Sequence, residues 1–322
     1  MNRIEEFSGV FAGIRPGPGG APDGFAVDFL GTRTRRCYLD VLQGRARAMS
    51  GGAAPARLPV ISDGEVWFEA VNWVQSAREA SGRFVMVTLG GCYGGQASGC
   101  HRALQALNPM PCRLVVVEPE PGSFEWVKEH FRDNGIDPGQ HWLLPLAMSD
   151  TNAPVFFPVG APGYGAQNCY STNEAAERRR YVEELLAGGP AQDALRRIVL
   201  ENRTGLMRTL NSDPAARVEI KLVGAITLSD LLAPLDFVDY LESDIQQSEL
   251  IVFPPFIDLL GRKVRRIHIG THGVETHQVL LDLFAVNGWE IVFNFAPNGR
   301  YGGPWGAFDT NDGVLTVRNP RL

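Results

Sequence analysis

The feature that most constrains this chain is a strand–turn–helix–strand pattern over residues 83–118. An apolar run at 84–87 is followed by a glycine-dense turn at 90–95 and then by a segment with helical potential. A second apolar run, at 114–117, ends on Glu118. This order predicts a βαβ unit, in which the turn lies at the carboxyl end of the first strand, beside the N-terminus of the helix.

The glycine turn and the acid that ends this unit together predict a nucleoside-binding site. Glycines allow backbone N–H groups to approach a ligand, and Glu118 can accept hydrogen bonds from two ribose hydroxyls. Gly90, Gly91, Gly94 and Gly95 do not form a GxGxxG motif, and no phosphate-binding GxxxxGK[ST] motif occurs. The pattern therefore suits a cofactor without a pyrophosphate, of which S-adenosylmethionine (SAM) is the commonest. The alternative is a tight βα turn followed by an ordinary strand-end carboxylate.

The composition limits the class of protein and its partners. The chain has 322 residues, of which 44% are hydrophobic and 20% charged, so it is long enough for one large or two ordinary globular domains. Its net charge of −6 argues against nucleic acid as a partner, and the lack of about 18 consecutive apolar residues argues against a membrane span. An acidic N-terminus without an apolar signal segment, and five scattered cysteines without a CxxC pair, predict a cytoplasmic protein with reduced thiols.

The order of predicted elements defines the domain organisation. Strands and helices alternate from Arg83 onward, which predicts a Rossmann-like, doubly wound α/β sheet. Residues 1–62 are expected to form an N-terminal extension, partly irregular because glycine, proline and alanine crowd it, and residues 63–322 the main domain. An insertion is predicted at about 160–217, with a charged helix at 172–186 that is either a solvated surface or a cover over a site.

A β-hairpin is predicted near the C-terminus. Residues 307–309 and 314–317 read as strands, and the Asp-Gly pair between them is a strong signal for a tight turn. We therefore expect these two segments to pair with each other.

Two further predicted strands run into polar residues. Asp244 follows a central strand, so it should lie at the edge of the sheet where ligands bind; the alternative is a helix-capping Asp, with Glu249 exposed. His272 follows the next strand, and its unperturbed pKa suits a general base toward a substrate hydroxyl. Asp244, His272 and His277 match no standard metal-ligand spacing, so no metal is predicted.

With these segments in hand, the chain resembles the FkbM-type SAM-dependent methyltransferases over roughly residues 63–322. The resemblance rests on the order and spacing of several segments, none of which is decisive alone. They are Val87-Thr88-Leu89-Gly90-Gly91-Cys92-Tyr93-Gly94, Val116-Val117-Glu118-Pro119, Leu146-Ala147-Met148-Ser149-Asp150, Asp244-Ile245-Gln246-Gln247-Ser248-Glu249, Ile267-His268-Ile269-Gly270-Thr271-His272, and Asp312-Gly313-Val314 with Asn319-Pro320.

The resemblance implies a class I methyltransferase fold, SAM as the cofactor, and a role for each matching residue. In that arrangement Gly90, Gly91 and Gly94 line the methionine side of SAM, Glu118 holds the ribose, Ala147 and Met148 flank the adenine, and Asp244 lies near the transferred methyl. Two departures stand out. Thr88 occupies a position where many methyltransferases have an acid that reaches the amino group of SAM, and Gln247 replaces a glycine, where a side chain could crowd the site.

The sequence thus predicts a SAM-dependent methyltransferase that acts on an oxygen, with a hydroxyl of a sugar or natural product as the small-molecule acceptor. Asp244 or His272 would orient or deprotonate that hydroxyl, and a symmetric homodimer is the default assembly. Thr88 and Gln247 motivate an alternative, a catalytically silent module that binds SAM or a partner. An NAD-using enzyme that modifies nucleotide sugars is a third hypothesis, which the lack of GxGxxG disfavours.

Overall fold

The computed structural model describes residues 3–16, 21–43, 57–160, 162–163 and 219–322. The predicted charged helix at 172–186, and most of the predicted insertion, lie outside the described residues. The strands are β1 (Phe25–Val27), β2 (Arg33–Arg35), β3 (Phe84–Leu89), β4 (Cys112–Val117), β5 (Trp142–Leu144), β6 (Ala147–Met148), β7 (Val155–Val159), β8 (Glu219–Val223), β9 (Ala225–Ile226), β10 (Val238–Ser243), β11 (Val264–Thr271), β12 (Glu290–Phe295), β13 (Arg300–Gly303), β14 (Gly306–Asp309) and β15 (Gly313–Arg318). The α-helices are α1 (Arg36–Gln43), α2 (Glu65–Glu79), α3 (Gly95–Leu107), α4 (Pro121–Asp133), α5 (Leu228–Leu232), α6 (Glu249–Val252), α7 (Ile257–Lys263) and α8 (Val274–Val286).

A seven-stranded sheet with the order β12-β15-β11-β10-β3-β4-β5 organises the main domain. The pairs from β11 to β5 are parallel, and β15 runs antiparallel to both β11 and β12. The predicted α/β class and its Rossmann-like, doubly wound sheet are therefore confirmed.

The strand order reverses direction between β3 and β10. From β3 the chain proceeds outward through β4 and β5, whereas from β10 it proceeds the other way to β11. In open α/β sheets such a switch point leaves a crevice at the carboxyl ends of the two strands, because their connections leave in opposite directions. Gly90 and Asp244, the residues that follow β3 and β10, lie at this crevice.

Helices cover both faces of the sheet, and β3 shows how the sequence produces this arrangement. Phe84 and Met86 belong to an apolar core that includes residues of α2, α3 and α4, while Val85 and Val87 belong to a second core with residues of α5 to α8. All six residues of β3 are buried. Burial on both faces explains why a central parallel strand reads as an uninterrupted apolar run rather than an alternating one.

The described part of the predicted N-terminal extension packs onto the main domain. Ile4 and Phe7 are buried in the core on the α2 side of the sheet, and the Phe7 ring lies 5.2 Å from that of Phe293. Arg33 and Asn134 exchange two hydrogen bonds, of 2.8 and 2.9 Å, between β2 and the end of α4.

The predicted C-terminal hairpin differs from the observed pairing. β14 pairs with β13, whereas β15 lies between β11 and β12 in the large sheet. The reason is burial, because five of the six residues of β15 are buried and only the central sheet can cover both of its faces. The Asp312-Gly313 turn therefore connects two different sheets.

Candidate functional site

The glycine turn after β3 is packed tightly against the rest of the crevice. Gly90 has a φ of +82°, and a Cβ there would lie 2.1 Å from the carbonyl oxygen of Asp244. A Cβ at Gly91 would lie 2.3 Å from Cγ1 of Val116. The N–H groups of both glycines donate to the Val117 carbonyl at 3.0 Å. The turn itself thus requires these glycines, and their predicted contact with a cofactor stays a prediction.

The same turn leads into α3 through two left-handed residues. Cys92 has a φ of +49°, and Gly94 is the N-cap of α3 with a φ of +82°. The Gly94 N–H donates to the Gly91 carbonyl at 2.7 Å, which closes the turn. The N-terminus of a helix of 13 residues is therefore directed at the crevice, with its positive dipole end.

Glu118 is held in a fixed orientation by the backbone around it. Its Oε2 accepts a hydrogen bond from the Cys92 N–H at 2.7 Å, and its Oε1 accepts one from the Glu120 N–H at 2.8 Å. Burial raises the pKa of Glu118 to about 8, against the effect of these two donors, and the charges of Glu120 and Asp244 raise it further. Each carboxylate oxygen has a second lone pair, so Glu118 can also accept hydrogen bonds from a ligand.

Ala147 and Met148 form the short strand β6, which pairs with β9 beyond the end of β5. Both side chains are buried, and Met148 belongs to the same apolar cluster as Val117 and Ile245. The structure therefore places an apolar wall beyond the carboxyl end of β5. Its predicted contact with adenine is a proposal that this position permits.

Asp244 and His272 come together, as the positions of their strands predict, and Asp312 joins them. His272 Nε2 lies 3.6 Å from Oδ1 of Asp244 and 3.3 Å from Oδ1 of Asp312. The Gln246 amide lies between them, with its Nε2 2.8 Å from Asp244 Oδ1 and 2.6 Å from His272 Nε2. These four side chains form one polar cluster at the crevice.

The two aspartates change the expected role of His272. Burial alone would lower the pKa of His272, but Asp244 and Asp312, with Glu249 further away, raise it to about 9. This raised pKa favours a charged ring at neutral pH, in which both nitrogens carry hydrogen, and the general-base role expected of His272 stays a prediction. Asp244, with a side chain 44% exposed, is the better placed acceptor for a substrate proton.

The turn after β10 contains strained residues, and hydrogen bonds from the turn to the buried Glu249 hold it in place. Gln246 and Gln247 both have positive φ, at +57° and +75°. Gln247 is exposed, so its side chain does not crowd the crevice. Glu249 is fully buried rather than exposed, and its Oε1 accepts hydrogen bonds from the Ile245 N–H at 2.9 Å and the Ser243 hydroxyl at 3.3 Å. Asp244 is not a helix cap, because Ser248 occupies the N-cap of α6.

Sequence reasoning missed two acids of α2 that approach the same cluster. Glu65 Oε1 accepts hydrogen bonds from the Asn311 and Asp312 N–H groups, each at 2.8 Å. Burial raises the pKa of Glu69 to about 8, and the charge of Glu65 adds to this while a hydrogen bond from Gln96 opposes it. Their i, i+4 spacing, which puts both on one face of a helix, was the available signal.

Within the described part of the chain, no group of three or more His, Cys, Asp or Glu side chains is placed to hold a metal ion. No described helix has the length and apolar character needed to cross a bilayer.

Comparisons with known proteins show only a distant likeness. No protein-family model matches the chain, and no curated protein matches it. The resemblance to FkbM-type enzymes therefore stays a prediction.

Several solved structures are similar to this chain, each at low identity and a low TM-score. The precorrin-6Y C5,15-methyltransferase of Geobacter metallireducens GS-15 has 10% identity and a TM-score of 0.38, over 78% of this chain and 86% of that one. The ribosomal protein L11 methylase of Lactobacillus delbrueckii subsp. bulgaricus has 10% identity and a TM-score of 0.35, over 79% of each chain. The METTL16 methyltransferase domain has 8% identity and a TM-score of 0.36, over 92% of this chain and 86% of that one. Similarities this weak carry no argument about a cofactor or an acceptor.

Proposed function

We propose that this protein is a SAM-dependent methyltransferase. The observation that carries the proposal is the position of Glu118, which is fixed by two backbone donors beside the glycine turn at the switch point of the sheet. A carboxylate held there can accept hydrogen bonds from both hydroxyls of a ribose. The turn offers no GxGxxG motif for a pyrophosphate, which favours SAM over a dinucleotide.

The residues around the crevice fit this cofactor in charge and polarity. SAM carries a positive sulfonium and an ammonium group. Asp244 lies at the crevice, and a cation there would favour the ionised forms of Glu69 and Glu118, whose pKa values burial raises to about 8. The buried pair Ala147 and Met148 supplies an apolar surface for a flat base. When bound, SAM supplies an electrophilic methyl group.

We propose that Asp244 binds and orients the acceptor, a hydroxyl group of a small molecule such as a sugar or natural product. The exposed carboxylate of Asp244 accepts a hydrogen bond from that hydroxyl, and His272, as an imidazolium, keeps the carboxylate ionised and in place. In-line methyl transfer depends mainly on the alignment of the nucleophile, so this positioning supplies most of the expected rate.

Calorimetric titration with SAM and with S-adenosylhomocysteine tests the cofactor. We expect micromolar binding that Glu118→Ala weakens by roughly ten-fold or more, the scale of lost hydrogen bonds to a charged group. Glu125→Ala is the control, since Glu125 is an exposed acid on the outer face of α4. No binding of either ligand to the unaltered protein would reject the proposal.

A second candidate is a module that binds SAM without turnover. It is favoured by Thr88, which leaves the end of β3 without a charge. Methyl transfer from labelled SAM to a panel of hydroxyl compounds separates the two candidates. Transfer that Asp244→Asn abolishes supports the enzyme, whereas tight binding without transfer to any compound supports the silent module.

A further inference from the structure

Glu242 and Thr88 form a buried polar pair with unused hydrogen-bonding capacity. They are in register on the adjacent central strands β10 and β3, so their side chains project from the same face of the sheet. Glu242 is 3% exposed and Thr88 is 1% exposed. Neither Oε2 of Glu242 nor Oγ1 of Thr88 has a hydrogen-bond partner among the described residues.

Such a pair is unusual in the interior of a protein. Buried polar groups almost always have partners, because an unsatisfied acceptor loses its bonds to water without compensation. Both residues are next to last in their strands, two positions before Gly90 and Asp244 respectively. The pair therefore lies near the carboxyl ends of β3 and β10, next to the crevice, where a ligand can supply a hydrogen-bond donor to Glu242 and Thr88.

The groups around Glu242 determine whether a charged or a neutral ligand donor would be favoured there. Burial raises the pKa of Glu242 well above its ordinary value, and the charges of Asp244, Glu69 and Glu249 raise it further. Asp244 lies in the turn after β10, Glu69 on α2 and Glu249 at the start of α6. A positive donor beside Glu242 would favour its ionised form and pair with it, whereas an anion would disfavour that form further.

Among the described residues of β10 and β11, no cation is hydrogen-bonded to Oε2 of Glu242. His268, in register with Glu242 on β11, is buried, and burial lowers its pKa to about 4, so it is neutral. Arg266 lies two residues nearer the amino end of β11. Its Nη2 pairs with Glu79 at 3.0 Å, while its buried Nε and Nη1 have no partner among the described residues and do not bond Glu242. Tyr240, two residues before Glu242, has a pKa raised by burial and stays a neutral phenol.

We propose that Glu242 and Thr88 form a subsite for a primary ammonium group, which is the α-ammonium of the methionine part of SAM. The inference rests on the proposed function and adds a residue pair to it. It also accounts for the uncharged Thr88, because the carboxylate is supplied from the adjacent strand. The same chemistry could come from an amino group of the acceptor, and the experiment distinguishes these two sources.

The experiment compares ligands with and without the ammonium group. Calorimetry measures the affinities of S-adenosylhomocysteine, its deaminated analogue, and 5′-methylthioadenosine, which lacks the amino-acid part. We expect Glu242→Gln and Thr88→Val each to weaken S-adenosylhomocysteine binding, by about ten-fold for Glu242→Gln, and to leave the two other affinities unchanged. Ser76→Ala is the matched control, since Ser76 is another buried hydroxyl without a described partner on this face.

A second readout follows the proton. Because burial and neighbouring acids favour the protonated form of Glu242, and an adjacent ammonium group favours its ionised form, S-adenosylhomocysteine should release more protons near pH 7 than methylthioadenosine does. This difference should disappear in Glu242→Gln and persist in Glu125→Gln, at an exposed acid of α4. Thermal unfolding of each variant shows that it is folded.

The outcomes separate this inference from the proposed function. If the unaltered protein binds none of the ligands, the proposed function fails. If it binds S-adenosylhomocysteine and Glu242→Gln binds it equally, or if the variant weakens all three ligands alike, the subsite is rejected for SAM. A simple amine, n-propylammonium, serves as a probe for an acceptor amino group. If Glu242→Gln keeps its affinity for S-adenosylhomocysteine but its complex with that ligand no longer binds n-propylammonium, the subsite belongs to the acceptor instead.

Discussion

The backbones of Gly90 and Asp244 are in contact across the switch point of the sheet. A Cβ at Gly90 would lie 2.1 Å from the carbonyl oxygen of Asp244, and the Asp244 N–H donates to the Leu89 carbonyl at 2.9 Å. The turn after β3 and the turn after β10 therefore form a single packed unit. This explains how the proposed cofactor-binding turn and the proposed acceptor-binding acid can hold a constant distance from each other.

The first prediction concerns the substitution Gly90→Ala. The new methyl group would overlap a backbone oxygen that cannot rotate away, and the residue would also have to keep a φ of +82°. We expect a loss of about 3 kcal/mol or more in the free energy of unfolding, from overpacking and backbone strain together. Urea denaturation followed by circular dichroism measures it.

Gly82→Ala is the matched control for this prediction. Gly82 has a similar φ of +72° but nothing within 4 Å of its Cβ position. It should therefore show only the conformational cost, about 1 kcal/mol. Equal losses in the two variants would show that contact with Asp244 is unimportant.

The second prediction is that His272 is charged at neutral pH. Its folded pKa of about 9 lies above the ordinary value of 6.5. The stabilisation is therefore complete below about pH 6.5, while the aspartates are still ionised, and it is lost as the pH rises through 9. At about 1.4 kcal/mol per pKa unit, the full effect is on the order of 3 kcal/mol. NMR titration of the imidazole protons measures the pKa directly.

Asp312→Asn isolates one cause of this shift. The variant keeps a side chain of the same shape 3.3 Å from His272 and removes one of its two near charges. The pKa of His272 should fall, and unfolding experiments should show that stability is lost at a lower pH. A His272 pKa near 6.5 in the unaltered protein would contradict the charged ring and restore its candidacy as a general base.

The sequence predicted those parts of the site that depend on local patterns. The turn at Gly90 and the acid at Glu118 belong to one βαβ unit, whose order can be read from apolar runs and glycines. Asp244 and His272 were placed correctly because each directly follows a strand of the same parallel sheet.

The parts of the site and fold that the sequence did not predict depend on contacts between distant parts of the chain. Asp312 reaches His272 because Glu65, 247 residues earlier, binds its N–H. The residue pattern of one strand or helix contains no information about a contact such as that between Glu65 and Asp312. The predicted C-terminal hairpin was wrong for a related reason. The Asp-Gly turn signal is local, whereas the burial that places β15 in the central sheet depends on distant strands.

The third prediction concerns strain in the turn after β10. Gln247 is exposed and has a φ of +75°, a conformation that costs a residue with a side chain about 1 kcal/mol and costs glycine almost nothing. Gln247→Gly should therefore raise the free energy of unfolding by up to about 1 kcal/mol. Gln105→Gly, at an exposed position inside α3, should lower it by a similar amount. Destabilisation by both substitutions would show that Gln247 makes a contact outweighing the strain.

The fourth prediction is that Glu69→Gln stabilises the protein at high pH. Burial raises the folded pKa of Glu69 to about 8 from an ordinary 4.5, so ionisation disfavours the folded state as the pH rises between these values. The variant should match the unaltered protein below about pH 4.5 and exceed it by roughly 1 kcal/mol or more above pH 8, given about 1.4 kcal/mol per pKa unit. Glu275→Gln, at an exposed position, should change the free energy of unfolding neither at low nor at high pH. Parallel stability curves for Glu69→Gln and the unaltered protein from pH 4 to 9 would mean that Glu69 is solvated, and that the crevice is less acidic than proposed.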